Sequence, residues 1–242
     1  MRLTADPENG EFIIVLDSQD RENEGDLIIA AESITDAQMA FLVRYTRHDS
    51  FPSTRPTHTY TNARLNSGLI CAPVTPEIAT RLQLPQMVLE NTDPKGTAYT
   101  ISIDASDASV TTGISAQDRA LTCRTLASPH SHPEDLRRPG HVIPLRAKSG
   151  GVRERKGHTE AGVDFCRLAG KSQASVIAEL VEDGTVVEGV PEIGGNNGMM
   201  RRDACLRFGK KWGIKVCTIE DLVDYLERVE GVGGIAVANG KH

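Results

Sequence analysis

A short acidic segment is the first part of the chain whose residue types suggest chemistry. Asp17 to Asp26, DSQDRENEGD, holds five carboxylates and one arginine between two apolar runs. Such crowding is unfavourable unless a cation or a basic partner neutralises it, although a solvated acidic turn is the simpler alternative. An EF-hand calcium loop is excluded, because its position 12 falls on Ala31 instead of a glutamate. The segment therefore predicts an oxygen-rich site for a small divalent cation shared with a ligand.

A second segment, Arg137 to Gly157, has the opposite charge, with seven lysine or arginine residues against Glu154 alone. It ends in RKGHTE, residues 155 to 160, directly before a predicted helix over Ala161 to Ala169. A Gly-His-Thr turn at a helix start offers free N–H groups, a hydroxyl and the positive end of the helix dipole, which suit a phosphate. Helix capping by Thr159 is the structural alternative, but it leaves the cluster of cations unexplained.

Three single residues are further candidates. Glu179 lies within the apolar run Ser175 to Val181, where a strand is expected to bury it; a buried carboxylate needs a partner, and an active site supplies one. His158 is a metal ligand, a phosphate donor or an ordinary surface histidine on spacing alone. His141 follows a Pro-Gly turn and, taken alone, is more typical of a structural histidine.

Length and composition limit the class of protein. A chain of 242 residues, 39% hydrophobic and 25% charged, predicts a single globular domain over residues 1–242. The formal charge of -6 argues against a nucleic-acid partner. No apolar run is long enough for a membrane helix and the N-terminus does not resemble a signal peptide, so we expect no membrane partner and a cytoplasmic location. The five cysteines are too widely spaced for a zinc site and predict reduced thiols.

The elements that must position these residues alternate irregularly between strand and helix, which favours a layered α+β or mixed α/β domain. Capping signals predict helix starts at Thr35, Ser115 and Thr218, and Gly170, Gly213 and Gly231 are expected at helix ends. The predicted strands are Phe12 to Leu16, Leu27 to Ala31, Gly68 to Val74, Ala98 to Asp104, Ala174 to Val181 and Ile214 to Ile219.

Two segments look inserted, because neither has an apolar period: Arg47 to Asn66 and the Gly-rich Glu188 to Gly198. Gly231 to His242 is expected to be a flexible tail.

Five motifs stand out along the chain: Asp20 to Leu27 (DRENEGDL), Gly68 to Cys71 (GLIC), Thr111 to Arg119 (TTGISAQDR), Arg138 to His141 (RPGH) and Gly157 to Ala161 (GHTEA). Together they resemble the 3,4-dihydroxy-2-butanone-4-phosphate synthase family of riboflavin biosynthesis, in its fungal form. The resemblance runs from about Gly10 to Tyr225 apart from the two insertions, and the chain lacks most of the N-terminal helix that the family has ahead of Gly10.

The resemblance implies a single three-layer α+β domain with a mixed β-sheet flanked by helices. It also implies a homodimer whose active sites lie at the subunit interface. The implied reaction is a metal-dependent conversion of D-ribulose 5-phosphate to 3,4-dihydroxy-2-butanone 4-phosphate and formate. A catalytically impaired relative that only binds a sugar phosphate is the alternative.

The resemblance also assigns roles to residues. It implies that Glu22 and His158 bind the metal, Mg²⁺ or Mn²⁺, and that His141 and Glu179 are essential for catalysis. Because the reaction removes a proton beside a carbonyl group, we add Asp26 to Glu179 as a proton carrier. The implied substrate contacts are Arg21, Glu22, Asp26, Arg155, Lys156, Gly157, His158 and Thr159.

Overall fold

The computed structural model of the chain describes residues 11–45, 68–182, 185–186, 193–194 and 198–231. The predicted insertion at Arg47 to Asn66 lies outside the described residues, and so do most of Glu188 to Gly198 and all of the predicted tail beyond Gly231.

The described residues form nine strands and six α-helices. The strands are β1 (Ile13–Leu16), β2 (Gly25–Ala30), β3 (Cys71–Val74), β4 (Ile103–Ala105), β5 (Leu136–Arg146), β6 (Ser175–Glu179), β7 (Thr185–Val186), β8 (Ile193–Gly194) and β9 (Lys215–Thr218). The helices are α1 (Asp36–Tyr45), α2 (Pro76–Arg81), α3 (Ala116–Ala127), α4 (His158–Leu168), α5 (Arg202–Trp212) and α6 (Ile219–Glu230). None of the described helices is both long and apolar enough to cross a membrane.

Seven strands form one mixed sheet in the order β4-β5-β3-β6-β2-β1-β9. The β1–β9 and β3–β5 pairs are parallel, whereas the other neighbours are antiparallel. β7 and β8 pair separately. The predicted α+β fold with a mixed sheet is confirmed.

Successive residues of a strand point to opposite faces of the sheet, so both faces carry apolar side chains, and helices cover both of them. Ile14 packs with Leu27 in one apolar core, to which α1, α2, α3 and α5 contribute side chains. Val15 packs with Ile28 in a second core, to which α4 and α6 contribute. The sheet and the helices on its two faces therefore form three layers. α4 lies on the face that carries the pocket described below.

Local capping signals placed the helix starts correctly. The hydroxyl of Ser115 accepts the N–H of Asp118 at 3.0 Å, and that of Thr218 accepts the N–H of Asp221 at 3.0 Å. Thr35 and Gln38 bond reciprocally ahead of α1. Gly170 and Gly213 follow helices with positive φ, as expected of residues that end them.

Two differences from the predicted strands bear on the site. Of the expected strand Ala98 to Asp104, only Ile103 and Asp104 join a ladder, as part of β4, while Tyr99 and Thr100 make isolated bridges. The eleven-residue β5 was not predicted, because Pro139, Gly140 and four charged or titratable residues interrupt its apolar pattern. This strand carries His141 and lies between β4 and β3.

Candidate active site

A pocket opens where β2 and β6 reach the N-terminus of α4. It collects charged side chains from the acidic segment, the RKGHTE segment and the end of β6. Its lining consists of Arg21, Glu22, Asp26, Leu69, Cys71, Thr97, Tyr99, Leu145, Arg155, His158, Thr159, Ile177, Ala178 and Glu179.

The acidic loop between β1 and β2 is organised by Asp17. Its Oδ1 accepts the N–H of Glu24 at 2.8 Å, and its Oδ2 accepts the N–H of Glu22 at 3.0 Å and an Arg21 guanidinium N–H at 2.9 Å. Arg21 also donates to the carboxylate of Glu22. Asp17 therefore shapes the loop and leaves Arg21 and Glu22 at the pocket.

Two cationic side chains from other parts of the chain donate hydrogen bonds to backbone carbonyls of this loop. Lys95 donates to the carbonyl of Arg21 at 2.7 Å, and Arg201 donates to the carbonyl of Glu22 at 2.6 Å. The loop is thus connected to the segment before β4 and to the start of α5.

His158 is the first residue of α4 and is 6% exposed. Its Nε2 lies 3.1 Å from the carbonyl oxygen of Val15, which can only accept, so Nε2 carries the hydrogen. Nδ1 lies 3.8 Å from both Glu22 Oε2 and Asp26 Oδ1. Burial lowers the pKa of His158, although Asp17 opposes the shift. The neutral ring therefore presents the lone pair of Nδ1 to the carboxylates.

Asp26 and Glu179 are directly paired across the β2–β6 ladder. Asp26 is 2% exposed, and burial, with the negative charge of Glu179, raises its pKa well above the usual range. Burial also raises the pKa of Glu179, while His158 acts in the opposite direction. Glu179 is less buried than the apolar run predicted: it is the last residue of β6, and it is exposed at the pocket although its carboxylate is still partly desolvated.

The opposite side of the pocket is the N-terminus of α4. Gly157 is its N-cap and no side chain caps the helix, so the capping alternative for Thr159 is wrong. Thr159 is buried and its side chain lines the pocket. A Cβ at Gly157 would lie 2.2 Å from Arg155 Nη1, so the glycine allows the guanidinium to approach the turn.

The basic segment does not form one patch. Arg155 reaches the pocket, where Nη1 pairs with Glu160 at 2.6 Å and Nη2 donates to Thr97 at 3.2 Å. Lys156 is exposed and does not line the pocket. Arg138 instead donates to backbone carbonyls, and Arg153 pairs with Glu230. Of the seven cations of this segment, only Arg155 lines the pocket.

His141 also lies outside the pocket lining of its own chain. It sits in β5, its side chain is 40% exposed, and its Nδ1 lies 2.8 Å from Asp104 Oδ2. The structure thus brings Arg21, Glu22, Asp26 and Glu179 together with Arg155, His158 and Thr159, whereas Gly157, Lys156 and His141 do not line the pocket.

Sequence reasoning missed three polar residues of the pocket, Cys71, Thr97 and Tyr99. Burial raises the pKa of Tyr99 to about 12 and that of the Cys71 thiol to about 12, so both side chains are neutral at physiological pH. Nothing in the local pattern indicates Tyr99. Cys71 is the last residue of the GLIC motif, but the motif does not indicate that its thiol is buried at the pocket.

The arrangement fits a divalent cation. Oxygens of Asp17 and Glu22 and a ring nitrogen of His158 lie within 4.8 Å of one another. The oxygens of Asp17 already accept three N–H groups, so Glu22 and His158 are the better donors. Asp26 Oδ1 is buried, has no hydrogen-bond partner and faces His158. Carboxylate oxygens suit Mg²⁺ or Mn²⁺, and an imidazole nitrogen is a better ligand for Mn²⁺ than for Mg²⁺.

The helix-covered mixed sheet and its pocket of acid–base groups define an α+β enzyme. Comparison with known proteins makes the class more specific. The family model for 3,4-dihydroxy-2-butanone 4-phosphate synthase matches residues 2–55 and 52–225. The chain therefore belongs to the 3,4-dihydroxy-2-butanone 4-phosphate synthase family, as its motifs predicted.

Individual relatives agree. A 3,4-dihydroxy-2-butanone 4-phosphate synthase of Pyricularia oryzae is 56% identical over 223 residues, covering 92% of this chain and 87% of the relative. The Candida albicans protein of the same name is 48% identical over 220 residues, covering 91% and 92%. A crystal structure of such a synthase in complex with two magnesium ions is 56% identical, with a TM-score of 0.82 over 93% of this chain and 94% of that one.

Proposed function

We propose that the chain converts D-ribulose 5-phosphate to 3,4-dihydroxy-2-butanone 4-phosphate and formate, with Mg²⁺ or Mn²⁺ bound. The observation that carries the proposal is one pocket that joins the Asp26–Glu179 pair and His158 to the uncapped N-terminus of α4. Carboxylates suit proton transfer beside a carbonyl group, and the helix N-terminus suits the phosphate.

The charge of the pocket supports a cation. Its lining contains three carboxylates and two arginines, and both arginines already pair with carboxylates. An anionic sugar phosphate would be repelled by this surplus unless a cation neutralised it. Glu22 and His158 are the residues that would hold the ion. A bound divalent cation supplies Lewis-acid polarisation of a substrate oxygen.

Asp26 and Glu179 are the proposed proton carriers. Their raised pKa values bring proton uptake and release closer to neutral pH than for an ordinary carboxylate. The exposed Glu179 can reach the substrate from the mouth of the pocket, whereas Asp26 acts from its floor.

Thr159 and the first N–H groups of α4 are the proposed phosphate contacts. Thr159 lines the pocket, and Arg155 and Gly157 belong to the turn that precedes α4. Arg21 contributes from the acidic loop. Lys156 is exposed, so in this proposal it attracts the anion without touching it in the pocket of its own chain.

We also propose a homodimer, and the position of His141 outside the pocket of its own chain supports it. If this histidine is essential, it serves a pocket that it does not line in its own chain, and a second copy of the chain would place it there. Exposed apolar side chains suitable for such an interface include Leu69, Met87, Val88, Leu89 and Ile114. In this proposal residues 1–242 form a single catalytic domain in the cytoplasm.

Formate release is the direct test. The purified chain is incubated with ribulose 5-phosphate and Mg²⁺, and formate is quantified against a no-enzyme control. Binding of the sugar phosphate without any formate would favour the impaired relative instead. The presence of Asp26, Glu179 and His158 in one pocket argues against that alternative.

A further inference from the structure

Asp104 contacts His141 twice. Asp104 Oδ1 accepts the backbone N–H of His141 at 2.8 Å, and Oδ2 lies 2.8 Å from the ring Nδ1 of the same residue. Asp104 is 7% exposed, whereas the His141 side chain is 40% exposed. No hydrogen bond from the described residues reaches Nε2 of the histidine. The buried Asp104 carboxylate therefore lies on the Nδ1 side of the His141 ring, and Nε2, on the other side of the ring, has no hydrogen bond to the described residues.

An irregularity between β4 and β5 creates this contact. Ile103 pairs with Val142, but its neighbour Asp104 pairs with Arg137, so residues 138–141 bulge from the ladder. The bulge takes the N–H of His141 away from a strand partner, and the Asp104 carboxylate replaces that partner. Bulges often redirect a side chain beside a functional site.

Two glycines are required by the same geometry. A Cβ at Gly140 would lie 2.0 Å from the carbonyl carbon of Ile103, so a larger residue would separate the strands. Gly113 has φ +92°, and a Cβ there would lie 2.1 Å from Asp104 Oδ2 and 2.6 Å from His141 Nδ1. The TTGIS motif therefore packs its glycine against the pair. Asp118 fixes this loop by accepting the N–H of Gly113 at 3.1 Å.

We propose that Asp104 is a positioning residue for His141, holding the ring with hydrogen on Nδ1 and the lone pair on Nε2. The inference rests on the proposed function, in which His141 acts in the reaction. A carboxylate only accepts hydrogen bonds, so Nδ1 must donate to it. Nε2 then acts as a further base beside Asp26 and Glu179: it takes a proton from the substrate, and Asp104 stabilises the resulting imidazolium until the proton is returned.

A purely structural carboxylate would need only one of these contacts. One oxygen satisfies the bulged N–H of His141, and that requirement is complete without the ring. The second oxygen, on Nδ1, adds nothing to the ladder. It does fix the rotation and tautomer of the imidazole, which are the properties that a proton-transferring histidine needs.

Asp104→Asn separates the two roles. The backbone N–H of His141 cannot change, so it keeps the amide oxygen as its acceptor, and the amide NH₂ then faces Nδ1. The ring must respond by placing its hydrogen on Nε2. We expect ¹⁵N NMR of histidine-labelled protein at about pH 9, above the usual histidine pKa of about 6.5, to show this change of tautomer. His141→Gln assigns the signal.

The matched control is Thr122→Val. The Thr122 hydroxyl accepts the N–H of Ala105 at 2.9 Å, so this substitution weakens β4 next to Asp104 without touching His141. We expect Asp104→Asn to lower kcat on the order of 10² to 10⁴ with KM little changed. Thr122→Val should lower the melting temperature and leave kcat per folded molecule and the His141 tautomer unchanged.

Three results would overturn the inference: a wild-type His141 with hydrogen on Nε2, an Asp104→Asn variant with an unchanged tautomer, or a changed tautomer with unchanged kcat. A wild-type chain that releases no formate would instead contradict the proposed function. The NMR comparison does not use substrate, so it would still decide whether Asp104 sets the tautomer.

Discussion

Asp26 and Glu179 occupy directly opposed positions on β2 and β6, on the sheet face that α4 covers. Two carboxylates in a cross-strand pair repel each other, and pairs of this kind cost stability. Other interactions of the fold must offset this cost in stability. His158 lies close to both carboxylates. A repulsive pair that lines a pocket is typical of a site arranged for proton transfer or cation binding.

Glu179→Gln tests the proton-carrier role. Glutamine keeps the size of the side chain but cannot take a proton, so we expect kcat to fall by roughly 10² to 10⁴. Because the substitution also removes the repulsion with Asp26, the free energy of unfolding should stay the same or rise by up to about 1 kcal/mol. Formate release and circular-dichroism melts measure the two effects.

Glu182→Gln is the control for this experiment, since Glu182 follows the same strand but does not line the pocket. It should leave kcat unchanged. A Glu179→Gln variant that is destabilised yet turns over normally would contradict the catalytic assignment and leave a structural role.

Asp26→Asn tests the electrostatics of the metal-free protein. The pKa of Asp26 is raised in the fold, so the folded state holds this proton to a higher pH than the unfolded chain does. Its contribution to stability is full below the unfolded pKa of about 3.9 and is lost as pH rises through the folded value. In EDTA, we therefore expect Asp26→Asn to melt at a higher temperature than wild type at pH 8, with a smaller difference at pH 5. A difference that is independent of pH would contradict the raised pKa.

The sequence predicted features that depend on neighbouring residues. The acidic loop, the α4 turn and the capped helix starts are all set within ten residues or fewer, so composition and spacing indicate them. The resemblance then connected the loop to the turn, and the pocket containing Glu22, Asp26, His158 and Thr159 agrees with that connection.

Features that depend on distant pairing were not predictable. β5 has no alternating apolar pattern, because its bulge carries Pro139, Gly140 and His141. Its ladder partners are β3 and β4, which are distant in sequence. Nothing local connects Asp104 with His141, which lies 37 residues away. The exposure of Glu179 depends on β6 ending there, which a continuous apolar run through Val181 concealed.

Metal removal should abolish activity and lower stability. With EDTA we expect no formate, and added Mg²⁺ or Mn²⁺ should restore it. Mg²⁺ at about 100 times its Kd should stabilise the fold by about 2.7 kcal/mol, visible as a rise in Tm. Glu22→Gln should lose most of that rise, whereas Asp20→Asn, an exposed carboxylate of the same loop, should keep it. Equal shifts in both variants would place the ion elsewhere.

Thr159→Val tests phosphate recognition. Valine keeps the shape of the side chain and removes the hydroxyl, so we expect a loss of about 1 to 2 kcal/mol of substrate binding. KM should rise with kcat less affected, because the phosphate contact is the same in the ground and transition states. Thr80→Val, at an exposed position of α2, is the matched control and should change neither constant. An unaltered KM in Thr159→Val would place the phosphate at another part of the pocket.

Subunit complementation tests whether His141 acts in the pocket of a second copy. His141→Ala and Glu179→Gln are each expected to be inactive alone. If a site combines Glu179 of one chain with His141 of the other, half of the dimers in an equal co-expression carry both variants, and each has one intact site. Activity should then recover to about a quarter of wild type. Co-expression of Asp26→Asn with Glu179→Gln is the control, because both residues line one pocket and every site keeps a defect. No recovery in the first mixture would contradict a shared site and would indicate that His141 acts within its own chain.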